Sequence, residues 1–503
     1  PQSRAMARDS SPYTGEPAPR REPLPRRKTF HSISEREVQN MPKNNVRDMT
    51  VGSPMPILLS FMMPLLLGLL FQQFYSMVDT VVVGNFLGNE ALAGVGSTNS
   101  INFLVLGLCN GICAGFAIPV AQKFGEKDFD GLRTFVGNMI WLGGGIAILV
   151  TLVTTLACGG ILTAMNTPAD TFRYAYDYIF LIFLGIPATM LYNLLSGILR
   201  SLGDSRTPLF FLIFSSLLNV GLDLLCVVTL KMGVAGAGWA TLVSQLVSGI
   251  LCLVYMAKRF PILRLEKENL KFQRYFARRL LVMGLPMGLQ YSVTAIGSIL
   301  LQTAVNGLGS VAMAAVTASG KVINLFACPY DAMGTTAATY AGQNLGAGKL
   351  DRVNTGVKDC AILGTLYALV ALAAMYFGGA PMSGLFLDSK DVDSAAQILP
   401  LARELLVVNA AFYTALMGVN LFRFTIQGLG YSNLAVIAGV FEMIARGGVA
   451  LGLVPVLGFT AVCYASPAAW VLADLFLVPC YFYCVKKRTA QLSAKETAVL
   501  PEG

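Results

Sequence analysis

The chain has 503 residues, of which 55% are hydrophobic and only 13% are charged. An ordinary soluble domain carries roughly 25% charged residues, so this composition excludes a soluble globular protein of the same size. The formal net charge of +9 is compatible with nucleic-acid binding, but most Lys and Arg residues lie in the tails and in alternate loops, so no nucleic-acid partner is expected.

The amino-terminal region, residues 1–53, is polar and rich in Pro, Arg and Ser, a composition typical of disorder. It is not a signal peptide, because the apolar run that follows is too long and no small-residue cleavage site precedes it. Met41 opens a compact polar lead, MPKNNVRDMTVGSP, directly before the first apolar run. We expect Met41 to be the native start and residues 1–40 to be an upstream extension, which amino-terminal sequencing would test.

Apolar runs of about 18 or more residues recur through the rest of the chain, each long enough to cross the hydrocarbon of a bilayer as a helix. They are continuous rather than alternating and rich in Leu, Ala and Gly, which indicates helices. Twelve spans are predicted, near 55–78, 91–119, 134–157, 177–199, 207–230, 234–257, 280–304, 310–341, 358–379, 400–422, 433–456 and 458–484. The predicted fold class is therefore an all-α integral membrane protein.

The basic residues of the loops alternate between rich and poor along the chain. Counted over the loops alone, 17 Lys and Arg residues lie on one side and four on the other, with Arg200 and Arg423 among the 17. Both tails are basic and fall on the rich side. By the positive-inside rule, this predicts a multi-pass protein of the plasma (inner) membrane with both termini in the cytoplasm.

Two blocks of sequence occur twice. LGNEALAGVGS at 87–97 aligns with LGSVAMAAVTA at 308–318, and the same shift, which takes Gly88 to Gly309, brings AQKFG onto GQNLG without a gap. Further along, SLGDSR resembles GLGYSN, and VAGAGWA resembles FTAVCYA. Six spans separate the copies, an even number, so the halves have the same orientation and form two parallel six-helix lobes around a central cavity. The predicted organisation is a tail (1–53), a first lobe (54–257), a cytoplasmic linker (258–279), a second lobe (280–485) and a second tail (486–503).

The residue types needed for an enzyme or a metal cofactor are not clustered. The single histidine, His31, lies in the amino-terminal tail, which excludes a histidine-based active site or proton relay. The ten cysteines are scattered through apolar stretches without the partners of a zinc site, as expected of small core residues. No catalytic residue and no cofactor are therefore predicted.

Ionisable residues inside predicted spans are costly in lipid and are functional candidates. Glu442 and Arg446 have the i, i+4 spacing of an ion pair, which favours a structural role. Lys321 and Asp331 are too far apart to pair along one helix, so a structural role and a place in the substrate cavity both stay open. Asp474 is expected to face the helix bundle.

Asp79 and Asp223 differ from these because neither has a basic neighbour on its own span. Asn219 precedes Asp223 by four residues, which places both on one helix face. Two carboxylates, an amide and a nearby hydroxyl make an oxygen-rich pocket that suits a proton or a hard cation. The alternative for Asp79 is a position in the headgroup region, capping the following segment.

Taken together, these stretches resemble the multidrug and toxic compound extrusion (MATE) family, in its DinF-like prokaryotic branch. The matching pieces are PLLLGLLFQQFYSMVDTVVVGNFLG, AQKFG with its second copy GQNLGAGK, GILRSLGDSRTP, and LLNVGLDLL. The resemblance runs from about Asp48 to Lys487 and rests on four motifs in the correct order.

The resemblance implies antiport by alternating access, in which protons or sodium ions re-enter as small cationic or amphipathic compounds leave. It places the coupling site, a sodium site included, on Asp79, Asn219, Asp223 and Thr241, with Pro64 as the point where the first helix bends. It places Gln72 and Tyr75 in the substrate cavity, where we also expect Lys321 and Asp331. The implied partners are a small-molecule substrate and the bilayer, and the implied state is a monomer.

The sequence departs from other branches of the family, which carry a glutamate in the seventh span. Residues 280–305 contain no Asp or Glu, and Thr294 lies near the expected place, which favours coupling in the first lobe.

Other classes fit the sequence less well. The main alternative is a lipid-precursor flippase of the same superfamily, which usually has extra spans or a strongly basic cavity. A carrier of the major facilitator type should have a Gly-rich Asp-Arg motif between spans two and three, where this chain has AQKFGEKDFDGLR. A membrane enzyme would need a clustered nucleophile or metal ligands. A passive channel stays open and would be recognised by gradient-independent flux.

Overall fold

The computed structural model describes residues 46–165, 167–386 and 392–497, and all regular structure within these ranges is helical. The predicted native start at Met41 and the predicted disorder of residues 1–45 lie outside the described residues. Continuously apolar segments with few charges favour helices in lipid, because a helix satisfies its backbone hydrogen bonds internally.

The first lobe contains eight helices among the described residues. They are α1 (Pro54–Leu87), α2 (Asn89–Ser97), α3 (Asn99–Gly125), α4 (Phe129–Ala164), α5 (Ala169–Leu184), α6 (Ile186–Ser201), α7 (Arg206–Asp223) and α8 (Val234–Arg259). A linker follows, with a short turn of 3₁₀ helix at Pro261–Leu263.

The second lobe contains eight more in the same part of the structure. They are α9 (Arg274–Asn306), α10 (Ser310–Gly346), α11 (Leu350–Gly384), α12 (Val392–Ala411), α13 (Tyr413–Gly428), α14 (Ser432–Gly448), α15 (Val454–Leu457) and α16 (Phe459–Thr497).

Ten helical stretches in the described ranges are long and apolar enough to cross a membrane. Two further pairs, α5 with α6 and α12 with α13, bend by 45° and 51° and complete a set of twelve spans if each pair counts as one. Every predicted span falls on one of these stretches or pairs, so the twelve-span all-α prediction is confirmed. The helices are longer than the predicted spans because their polar ends continue past the apolar windows.

The repeat extends to irregular features that were not predicted. The second halves of the bent pairs begin at Ile186 and Tyr413, and the same shift along the chain relates Gly203 of SLGDSR to Gly430 of GLGYSN. The helices that follow each end in a wider π-helical segment, Leu224–Thr229 in the first lobe and Val449–Leu453 in the second. Segments of this kind are rare and often accompany functional sites.

The two lobes contact each other closely where α3 crosses α9. A Cβ atom placed on Gly111 would lie 2.5 Å from the carbonyl oxygen of Met287, and one on Gly115 would lie 2.6 Å from Cα of Gly284. Small residues let helix backbones approach within this range in membranes, where apolar burial between helices adds little. The glycines therefore determine how closely the lobes can approach.

At one end of the bundle the two copies of the AQKFG motif join the lobes by matching hydrogen bonds. Gln122 of the first lobe donates through Nε2 to the carbonyl oxygen of Gly428 in the second, at 2.9 Å. Gln343 of the second lobe donates to the carbonyl oxygen of Ser201 in the first, at 2.8 Å. We call these four residues the paired glutamine contact. It closes the bundle at the end where the described chain begins.

Residues 46–53 were assigned to the disordered tail, and for them that prediction is wrong. Met49 is fully buried, and its backbone N–H donates to Oε1 of Gln343 at 2.9 Å. Lys349 and Arg352 donate to carbonyl oxygens of this segment, at Thr50 and Gly52. The segment is polar because it pairs with polar groups of the second lobe, which composition alone does not distinguish from disorder.

Three arginines that were counted as loop residues lie inside the lobes instead. Arg200 is in the last turn of α6, half-buried, Arg423 is in α13, 6% exposed, and Arg133 is in α4, 8% exposed. An apolar window ends at the first charge it meets, so a charged residue in the first or last turns of a span is assigned to the loop. The loop asymmetry remains large without them.

Candidate functional site

The first-lobe site begins on one face of α1. Gln72, Tyr75 and Asp79 are spaced three and four residues apart, which places them on the same side of the helix. Gln72 is exposed, whereas Tyr75 and Asp79 are half-buried. Pro64 lies in the same helix, which runs without interruption from Pro54 to Leu87. Asp79 is therefore well inside a helix, and the alternative that it caps the following segment is wrong.

The second part of the site lies on α7 and α8. Asn219 and Asp223 are buried, at 2% and 0% exposure, in the last turns of α7. Oriented to satisfy its neighbours, the Asn219 amide donates to Oδ2 of Asp223 at 3.3 Å and accepts from the backbone N–H of Thr241 at 3.2 Å. Asn219 thus links the carboxylate of α7 to α8.

The structure brings these two parts together. Helix α1 packs against α7, and Asp79 and Asp223 are close enough for their negative charges to repel each other. Both carboxylates also lie near the hydroxyl of Tyr75. Tyr178 on α5 is within range of the same two carboxylates. The sequence analysis missed Tyr178, because a tyrosine in an apolar span is common and carries no motif.

Neither carboxylate is neutralised by the protein. Oδ1 of Asp79 and Oδ1 of Asp223 are buried and accept no hydrogen bond. No Lys or Arg in the described ranges forms an ion pair with either residue. A buried charge without a partner is costly, so this arrangement favours the binding of a proton or a small cation.

The donor set is compatible with a hard cation. Carboxylate oxygens and a threonine hydroxyl, here on Thr241, are ligands that such ions prefer. No group of three or more His, Cys, Asp or Glu side chains suited to a metal ion occurs in the described part of the chain. A cation at this site would therefore have two carboxylates at most.

In the second lobe, by contrast, a buried carboxylate is paired with arginines. Glu442 on α14 lies between two arginines, forming an ion pair with Arg423 on α13 and a longer one, 3.6 Å, with Arg446 on its own helix. The predicted pairing of Glu442 with Arg446 is confirmed, but the closer partner, Arg423, was missed. Asp474 on α16 points into the bundle, because a Cβ atom placed on Gly418 of α13 would lie 2.5 Å from its Oδ2.

Lys321 and Asp331 lie on one broad face of α10, about three turns apart. Both side chains are exposed rather than packed in the core. Asp331 is within electrostatic range of Tyr291 on α9 and of Arg423, whereas Lys321 forms no ion pair among the described residues. The structure therefore places them apart from the first-lobe carboxylates, on the second-lobe side.

Comparisons with a family profile, with related sequences and with solved structures agree with one another. The profile of the family described as MatE matches residues 64–225 and 286–450. "Probable multidrug resistance protein YoeA" of Bacillus subtilis (strain 168) is 25% identical over 441 residues, covering 85% of this chain and 93% of that protein. "Probable multidrug resistance protein YpnP" of the same organism is 30% identical over 310 residues, covering 61% and 68%.

Among solved structures, one described as "Crystal structure of MATE in complex with MaL6" superimposes with a TM-score of 0.81 at 21% identity. The match covers 89% of this chain and 99% of that one. At this identity the likeness supports the fold, two six-helix lobes, and not the details of the site.

Proposed function

The chain belongs to the MatE family of multi-pass membrane transporters, and from that premise we propose that it is a secondary antiporter. It exports small cationic or amphipathic organic compounds in exchange for protons or sodium ions. The curated relatives are named as multidrug resistance proteins, which supports multidrug export and does not favour a lipid-precursor flippase. The protein acts as a monomer with both termini in the cytoplasm and uses no cofactor besides the coupling ion.

One observation carries the coupling proposal: Asp79 and Asp223 each have a buried carboxylate oxygen, and no Lys or Arg in the described part of the chain pairs with either. A proton or sodium ion that enters from outside offsets one of the two negative charges and so relieves the repulsion between the carboxylates. A change of a few kcal/mol is enough to move a nearly balanced two-state equilibrium. Loading and release of the coupling ion can therefore select between two arrangements of the lobes.

The roles of the individual residues follow from their positions. Asp79 and Asp223 bind the coupling ion, Asn219 holds Asp223 toward α8, and Thr241 supplies a hydroxyl oxygen. Ion binding to Asp79 changes the conformation of α1. That helix can bend at Pro64, because proline has no backbone N–H and one hydrogen bond of the helix is missing there.

In alternating access the central cavity opens toward one side of the membrane at a time, so the helix bundle must be able to close at the other end. The paired glutamine contact holds the lobes together at the end where the described chain begins. With the termini in the cytoplasm, this arrangement is the one closed toward the cytoplasm. Gln72 and Tyr75, on the face of α1 that carries Asp79, then contact substrate as it leaves.

The test is ethidium export from vesicles containing the purified protein, with a proton gradient or a sodium gradient imposed alone. We expect one gradient to drive export by the native chain, and Asp79→Asn and Asp223→Asn to lose it by more than tenfold. Asp177→Asn is the matched control, because Asp177 is a half-exposed carboxylate of the same lobe with only a 4.0 Å contact to Arg173.

Each outcome is informative. Export by Asp79→Asn at the native rate would exclude coupling at this site. Ethidium flux that ignores both gradients would identify a channel. No ethidium flux in a correctly folded protein would reject drug export.

A further inference from the structure

A small cavity lies between the lobes, next to the paired glutamine contact. Its volume is about 50 Å³, and helices α3 and α6 of the first lobe and α9, α10 and α13 of the second line it. Most of the lining is apolar, and the polar residues are Arg200, Ser201, Thr335 and Thr339. Ser201 also accepts the hydrogen bond from Gln343, so the cavity is immediately adjacent to the closed end.

Arg200 is the unusual member of this set. Its guanidinium makes no hydrogen bond and no ion pair with any other residue in the described ranges. The other arginines buried within helices do have partners. Arg133 donates to the carbonyl oxygen of Ile262 at 2.9 Å, and Arg423 and Arg446 pair with Glu442. Arg200 is half-buried and lines the cavity, so its guanidinium is available to a ligand there.

The neighbouring hydroxyls decide which ligand the cavity suits. Ser201 and Thr339 already donate, Ser201 to the carbonyl oxygen of Ala117 at 2.7 Å and Thr339 to that of Thr335 at 3.2 Å. The Thr335 hydroxyl has no such bond among the described residues. The free donors are therefore Arg200 from the first lobe and Thr335 from the second, and no carboxylate lines the cavity.

The size of the cavity limits the ligand further. A volume of about 50 Å³ exceeds the ~15 Å³ that one water molecule needs on this measure, so the cavity has room for a small charged group. It can hold the charged end of a molecule. Arginine binds planar oxyanions through two parallel hydrogen bonds, which matches a carboxylate.

We propose that this cavity is a subsite for the carboxylate of an amphipathic organic acid or zwitterion, held by Arg200 and Thr335. The proposal rests on the exporter function and extends its substrates beyond cations. Because the two donors come from different lobes, a bound carboxylate bridges them and stabilises the closed end of the bundle. The ligand's apolar body contacts the apolar part of the lining, which includes Ile118, Met287 and Phe424.

The experiment measures binding to the purified, full-length protein without any ion gradient. The probe is 4-fluorobenzoate, followed by fluorine NMR line broadening, and 4-fluorobenzamide is its neutral counterpart of the same shape. We expect the native protein to broaden the benzoate signal and leave the benzamide unchanged. Arg200→Gln should weaken benzoate binding at least tenfold. Arg200→Lys should weaken it less, because lysine keeps the positive charge but cannot form the two parallel hydrogen bonds of a guanidinium.

The control is Arg206→Gln, which removes an exposed arginine at the start of the next helix and should bind benzoate normally. Melting temperatures confirm that each variant is folded, and Thr335→Val tests the second donor independently of Arg200. Equal binding of benzoate by the native protein and by Arg200→Gln would overturn the proposal. So would displacement of benzoate by inorganic phosphate at a much lower concentration, which would make this a site for an inorganic ion.

This test is separable from that of the exporter. If ethidium export depends on a gradient but benzoate does not bind through Arg200, only the subsite is wrong. If benzoate binding requires Arg200 while no compound is exported, the subsite stands and the exporter proposal falls.

Discussion

In the first lobe, Asp79 and Asp223 lie close together, and no basic side chain within the described ranges forms an ion pair with either. In the second lobe, Glu442 lies between Arg423 and Arg446. The shift that takes the start of α6 to the start of α13 also takes Asn219 to Arg446. At the same position of two related helices, α7 therefore carries the amide of Asn219, next to the carboxylate of Asp223, and α14 carries the guanidinium of Arg446.

This difference separates two uses of buried charge on one architecture. A carboxylate that is paired with arginines of its own chain is neutralised whatever the ion gradients are. A pair of carboxylates without such a partner must take its cation from solution, so its state follows the proton or sodium concentration. On the proposed function, the charges of the second lobe contribute to stability and those of the first lobe to coupling.

The largest expected effect is on stability, from Glu442→Gln. This change leaves Arg423 and Arg446 buried without their carboxylate, and removing one partner of a buried pair costs about 3–5 kcal/mol. Asp79→Asn removes a charge that has no fixed partner and should leave stability unchanged or raised. A thiol-reactive dye can follow melting, because nine of the ten cysteines are buried and become reactive on unfolding.

A second variant tests whether the loss comes from unpaired charge. Combining Glu442→Met with Arg423→Leu and Arg446→Met replaces the cluster by apolar groups, which should restore much of the lost stability. If Asp79→Asn destabilised the protein as much as Glu442→Gln, the distinction between the lobes would be wrong.

A smaller effect is expected where the lobes are alike. A Cβ atom on Gly125 would overlap the carbonyl oxygen of Gln343, and one on Gly346 would overlap that of Gln122. Gly125→Ala or Gly346→Ala should therefore disfavour the closed end by about 1–3 kcal/mol. A cost of about 1.4 kcal/mol, within this range, increases the open population tenfold.

Opening can be measured as maleimide labelling of Ser201→Cys, because Ser201 is 2% exposed at the paired glutamine contact. We expect labelling to accelerate about tenfold when either alanine is present. Gly144→Ala is the control, because a Cβ atom there meets nothing within 4 Å. Unchanged labelling would mean that these glycines do not control lobe closure.

The sequence predicted the fold and the family because both depend on features that persist along the chain, long apolar runs and a repeated motif. It singled out Asp79 and Asp223 as candidates because charged residues within spans are few, and their coupling role stays a prediction. It placed Arg200 and Arg423 in loops, since an apolar window ends at a charge. It did not predict the bends after α5 and α12, because an apolar window does not record a change in helix direction. Pro187, at the start of α6, was the local signal for the first bend.

The helices that carry Asp223 and Glu442, α7 and α14, also begin differently. Oδ1 of Asp204 accepts from the backbone N–H groups of Arg206 and Thr207, at 3.0 and 2.9 Å, and so caps α7. Tyr431, at the corresponding position of the second lobe, precedes α14 without a side-chain cap and stacks on Arg488 at 4.7 Å. Asp204→Ala should cost about 1–2 kcal/mol, seen as a lower melting temperature. Tyr431→Phe, which keeps the ring, should cost nothing, and an equal loss in both would contradict the capping role.

The smallest expected effect compares the two glutamines directly. Gln122 makes one hydrogen bond across the lobes, whereas Gln343 makes one across the lobes and also accepts from the backbone N–H of Met49 at 2.9 Å. Each such bond contributes about 1 kcal/mol, so Gln343→Leu should open the closed end more than Gln122→Leu. The labelling of Ser201→Cys measures both. Equal labelling would show that the amino-terminal segment does not contribute to closure, and the lobes would then be symmetric at this end although their buried charges are not.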